Sequence, residues 1–78
     1  MPIPPTDPAR VAMLWRLAWN NAHLSCAVYR DGERLEMRLE SLTNVVVKEP
    51  FELRPRMLAR AHALRDSLKR HGWREILH

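Results

Sequence analysis

The chain has 78 residues, with 13 basic side chains against 9 acidic ones and a single cysteine. A domain of this size buries only about two thirds of the surface its unfolded chain exposes, which argues against a deep substrate cleft and for a surface shared with a partner. One thiol, Cys26, excludes an intrachain disulfide and a cysteine-based metal cluster, and points to a reducing compartment.

Residues 1–10 read as a proline-rich N-terminal arm, because Pro2, Pro4 and Pro5 suit neither a helix interior nor a central strand. Residues 11–78 read as one domain. The opening residues lack the basic-then-apolar layout of a signal peptide, and no apolar run reaches the roughly 18 residues of a membrane span. These features predict a soluble cytoplasmic protein with no membrane partner.

Two readings compete from Val11 to Trp19. A helix would use Asp7 as N-cap and Pro8 in its first turn, with Val11, Leu14, Trp15 and Ala18 on one face. A strand would alternate Val11, Met13, Trp15, Leu17 and Trp19 with Ala12, Leu14, Arg16 and Ala18. Register favours the strand. With Asn20-Asn21 as a two-residue turn, Leu17 faces Leu24, Trp15 faces Cys26 and Met13 faces Val28.

His23 to Glu40 carries the plainest signal, a hairpin turning at Asp31-Gly32. Leu35, Met37 and Leu39 alternate with Arg34, Glu36, Arg38 and Glu40, the period of a half-buried strand. This turn would pair Arg30 with Glu33, Val28 with Leu35, Cys26 with Met37 and Leu24 with Leu39. After a turn over Ser41 to Asn44, Val45-Val46-Val47 forms the next strand. A three-residue loop would set Val47 opposite Leu39, with Val45, Val47 and Phe51 inward; a two-residue turn would select Val46.

A helix follows from about Pro55 to His71, its apolar stripe made by Met57, Leu58, Ala61, Leu64 and Leu68. Gly72 suits the left-handed residue beyond its end, with Trp73 packing back on Leu68. Lys69, Arg70 and His71 complement the negative end of the helix dipole. The expected fold is α+β, an antiparallel four-stranded β-meander packed on one C-terminal helix. The alternative is an N-terminal helix, three strands and a C-terminal helix.

The order of Leu14 to Leu17, the GERLEMRLE arm of the hairpin, a valine strand and a helix ending SLKRHGW resembles a class of small uncharacterised bacterial proteins. Those motifs concern packing and turn geometry. The resemblance implies the meander-plus-helix fold and no activity.

Chemistry finds little support in the residues. His23, His62, His71 and His78 show no HExxH-like spacing, and Cys26 falls on the predicted core face. His62 and Asp66, four apart on the helix, read as a surface hydrogen bond. Nucleophile elbow, glycine-rich phosphate loop and paired carboxylates are all missing from the sequence. No catalytic residue, cofactor, metal or small-molecule substrate is indicated, and the chain reads as a non-enzyme.

Two binding surfaces remain. The sheet face away from the helix would present Leu14, Arg16, Tyr29, Arg34, Glu36 and Arg38, together with Ala18, His23, Ser25, Ala27 and Glu40, to a protein partner or a second copy of the chain. An edge strand could serve the same purpose. Basicity is concentrated late in the chain: net charge is −1 up to Glu52 and +5 from Leu53 onward. Arg56, Arg60, Arg70 and Arg74 would then form a phosphate-gripping row along the helix, the nucleic-acid-binding alternative. The expected function is a non-catalytic interaction or regulatory module.

Overall fold

The computed structural model describes residues 9–76, in which strands β1 (Ala9–Trp19), β2 (Ala22–Asp31), β3 (Arg34–Glu40) and β4 (Val45–Phe51) run as an antiparallel meander. Helix α1 (Arg54–Arg70) and a two-residue strand, β5 (Arg74–Glu75), complete the chain. The sheet order is β4-β3-β2-β1-β5. The α+β class is as expected, but the sheet has five strands instead of four. Ala9 and Arg10, assigned to the arm, already belong to β1, while Pro2, Pro4, Pro5, Asp7 and Pro8 lie outside the described residues.

Residues 11–19 are strand, so the N-terminal-helix alternative is overturned. Asn20 takes φ 53, a left-handed value that asparagine tolerates, and the Asn20-Asn21 turn sets Leu17 opposite Leu24 and Trp15 opposite Cys26. Further back the register slips twice, because Leu14 and then Val11 are extra residues on β1. Met13 consequently faces Ala27, not Val28, and Ala12 takes the place opposite Val28. Ala12 packs on the core while Met13 and Val11 are exposed.

The second hairpin turns one residue later than its Asp-Gly pair suggests. Asp31 pairs with Arg34, so Gly32 and Glu33 form the loop, and Val28 meets Met37, Cys26 meets Leu39 and Ser25 meets Glu40. Gly32 carries φ 64 at the first central position, as a type II′ turn requires, and Glu33 needs no left-handed angle. Every partner moves by two positions. A shift of two keeps each side chain on its own face, so the inward set is unchanged. In the third turn, the Ser41 hydroxyl accepts the backbone N–H groups of Thr43 (3.3 Å) and Asn44 (3.0 Å). Val47 faces Leu39 as expected, but Val46 bulges and Val45 is turned outward opposite Glu40.

The core joins Trp15, Leu17, Cys26, Val28, Met37 and Leu39 of the sheet to Met57 and Ala61 of α1. Leu35, Val47, Phe51, Leu58, Leu64, Leu68 and Trp73 pack around it. Ala61 is fully buried, and its small side chain lets the sheet approach the helix backbone. There the Trp15 indole N–H donates to the Ala61 carbonyl at 2.9 Å, using a lone pair that the helical bond leaves free.

The helix begins one residue earlier than expected, with Leu53 as an extended N-cap that lends no side-chain bond and Pro55 in the first turn. Its end is a Schellman motif: Trp73 N–H donates to the Leu68 carbonyl at 3.1 Å and Gly72 N–H to that of Lys69 at 3.2 Å. Gly72 has φ 104, and a methyl group there would meet only Trp19 at ordinary contact distance, so the requirement for glycine is conformational. This reversal lays Arg74 and Glu75 against Ala18 and Leu17, and Ile76 N–H donates to the Arg16 carbonyl at 2.9 Å.

Trp15→Phe removes the indole donor and leaves a void under α1. It is expected to destabilise by about 1–3 kcal/mol in urea denaturation. Burial, aided by the negative charges of Glu40 and Glu49, pushes the Cys26 thiol up to about 11. Cys26 is expected to react with a thiol reagent at neutral pH only at the rate of unfolding; prompt stoichiometric labelling of the folded protein would contradict that burial.

Candidate functional site

Each antiparallel pair puts directly opposite residues on one face, so the registers lay out the uncovered side of the sheet as rows across the strands. Arg74, Ala18 and His23 make one row. Arg16, Ser25, Glu40 and Val45 make the next, then Met13, Ala27, Arg38 and Lys48, then Arg10, Tyr29, Glu36 and Pro50. Asp31 and Arg34 close the series.

At its centre the face is built as a second, polar layer. Ala27 has no exposed surface although it points away from the helix. Beside it Tyr29 donates its hydroxyl proton to the Glu40 carboxylate at 3.0 Å. The Arg38 guanidinium lies 4.1 Å from the centre of the Tyr29 ring and forms a close ion pair with Glu36. That bond to Glu36 raises the Arg38 pKa above its ordinary value. Partial burial, and next the hydrogen bond and charge of Glu40, hold Tyr29 above its ordinary 10.0, against the opposing pull of Arg38 and Arg10.

Over the face as a whole positive charge is in excess. Arg10, Arg16, Arg34, Arg38, Lys48 and Arg74 stand on the face against Asp31, Glu36 and Glu40, a net excess of three positive charges among the described residues. Lys48 lies directly opposite Arg38, a like-charge cross-strand pair that costs a sheet stability and is eased here by Glu36, which holds the Arg38 guanidinium. Lys48 and Arg74 have no ion-pair partner among the described residues.

Of the sheet-face residues expected from sequence, Arg16, Tyr29, Arg34, Glu36 and Arg38 are on this face. Leu14 is not: as the bulged residue it packs against the core cluster. Lys48, Arg10 and Arg74 were not anticipated there. Lys48 could have been found from the alternation of β4, whereas Arg10 depends on two bulges and Arg74 on β5.

The helix row is broken up. Arg56, Arg60 and Arg70 share one side of α1, but Arg74 lies past the Schellman turn on β5, and its position opposite Ala18 places it on the sheet face. Arg60 is engaged by Glu49 of β4 through Nε and Nη2 at 3.2 Å, which raises its pKa. Arg65 pairs with Asp66, and Lys69 with Glu75, each at 3.3 Å. Asp66 therefore serves Arg65, not the expected His62. His71 Nδ1 lies 2.7 Å from the Ser67 carbonyl.

Two further features lie at the end of the sheet nearest Gly72. A depression of about 440 Å³ is lined by Ala18, Trp19, Asn20, Gly72 and Arg74, where the Trp19 and Trp73 rings meet at 5.9 Å. Nearby, the Nδ1 of His23 is buried with no hydrogen-bond partner. Among the described residues no three His, Cys, Asp or Glu side chains lie together as a metal cage, and no helix is long and apolar enough to cross a membrane. The chain has no significant match among protein-family models, curated proteins or solved structures.

Tyr29 is the only tyrosine, so an absorbance titration reports this site alone. A raised pKa in the folded state means that the neutral phenol is favoured there. Its contribution to stability is thus complete below about pH 10 and lost as pH rises through the folded value. Tyrosinate is expected to form at higher pH in the folded protein than in urea, and Tyr29→Phe should flatten the alkaline loss of stability.

Proposed function

We propose that the chain is a non-catalytic binding module that presents the uncovered basic face of its sheet to an acidic macromolecule. The observation that carries this reading is the pair of directly opposed cations, Arg38 and Lys48, at the middle of a face with three positive charges in excess. A sheet that needed only solubility gains by placing opposite charges across from one another. Here the arrangement favours an incoming anion over the stability of the fold.

Strand addition at an edge, the other form of the interaction reading, has less support. On β4 the edge carries Pro50, Lys48 and a bulge at Val46, and on β1 it carries two bulges and the cover of β5. Features of this kind oppose edge-to-edge pairing. Exposed Val45, Val46, Val11 and Met13 are scattered over those two edges. Helix arginines support the reading less than the sheet does, since Arg60 is already engaged by Glu49.

Lys48→Glu is expected to act in opposite directions on binding and stability. Retention on a polyanionic heparin matrix should fall, whereas the melting temperature should rise, because a cross-strand ion pair worth about 0.2–1 kcal/mol replaces a repulsion. The combination Lys48→Glu with Arg74→Glu should lower retention well below that of Arg56→Glu with Arg70→Glu, although both remove the same charge. Equal loss in the two double variants would show that net charge alone is read.

A further inference from the structure

Resting on that reading of the face, we infer that its occupant is a single-stranded nucleic acid, running across the strands and held by its phosphates without regard to sequence. Four of the five strands contribute a cation: Arg74 on β5, Arg10 and Arg16 on β1, Arg38 on β3 and Lys48 on β4. Neighbouring strands are about 4.8 Å apart, so a polyanion crossing the sheet meets positive charge at every one or two strand steps. A compact acidic patch on a protein would not use a series of that length.

The identity of the cations supports the same choice. All but Lys48 are arginine, whose flat fork of donors matches two phosphate oxygens at once. Strand β2, whose Arg30 falls on the other face, supplies Tyr29 instead, at the middle of the face. Its ring is stacked against Arg38 at 4.1 Å. A phosphate that draws the guanidinium toward Lys48 uncovers the ring for a base, and stacking of this kind is open to any base. Duplex DNA keeps its bases inside and could use the cations but not Tyr29.

The test is fluorescence anisotropy of a labelled oligothymidine with the full chain at low salt. Binding is expected to weaken with salt at a log–log slope near −0.7 for each phosphate neutralised. Lys48→Glu with Arg74→Glu should weaken binding by about tenfold or more and flatten that slope, whereas Arg56→Glu with Arg70→Glu should change affinity by about twofold at most. Tyr29→Leu should cost affinity several-fold at an unchanged slope, since a stacking partner is lost and no charge is. Circular dichroism confirms that each variant is folded, and Tyr29→Phe keeps the ring as a control.

Absence of oligothymidine binding, or tighter binding of the same sequence as a duplex, would overturn the inference. So would polyglutamate competing as well as the oligonucleotide, which would assign the face to an acidic protein. These outcomes leave the reading of the sheet face intact if the Lys48 and Arg74 variants still lose heparin retention. Loss of heparin retention governed by Arg56 and Arg70 would overturn both.

Discussion

The hydrogen bond from the Trp15 indole to the Ala61 carbonyl is the contact on which the arrangement of the two layers depends. It ties the middle of β1 to the middle of α1 across 46 residues of sequence, in a site closed to water. A buried tryptophan N–H needs an acceptor, and here the small, fully buried Ala61 supplies it from the helix backbone. With the helix fixed there, Met57 lies on the same core as Cys26, Val28 and Met37. A single helix covers one side of the sheet and no more.

That limit shapes the other side. A bare sheet face has to be made compatible with water, and this one achieves it with a layer in which Tyr29, Arg38, Glu36 and Glu40 satisfy one another above a buried Ala27. The carboxylates at the centre are thereby committed. Around it Lys48 and Arg74 have no ion-pair partner among the described residues, so the polar layer that stabilises the middle has a positive surround. The like-charged pair of Arg38 and Lys48, directly opposite one another on β3 and β4, adds to that surround.

Charge distribution along the chain gave a misleading picture of charge in space. The segment up to Glu52 sums to −1, yet it supplies five of the six cations of the basic face. Only part of its acid shares that face: Asp31, Glu36 and Glu40 do, whereas Glu49 reaches to Arg60 on the helix side and Glu33 occupies a turn. Conversely, the later segment, whose +5 already counts Asp66 and Glu75, is neutralised further by Glu49 at Arg60. A sum over sequence cannot register which face each side chain takes.

Alternation and helical spacing, read from the sequence by themselves, determined the two-layer class, the inward rows Leu24, Cys26, Val28 and Leu35, Met37, Leu39, the apolar stripe of α1 and its stop at Gly72. Those properties are local, set by periods of two and 3.6 residues and by the left-handed freedom of glycine, and they survived a hairpin register that was wrong by two. Only the tertiary structure decided the bulges at Val11, Leu14 and Val46, the short strand β5, and with them which cations share a face. A bulge forms when a strand must fit both its neighbour and the helix beneath it, and β5 exists because the Schellman turn aims the chain at the edge of β1. Both are consequences of packing between distant segments, for which no local pattern in the chain provides a sign.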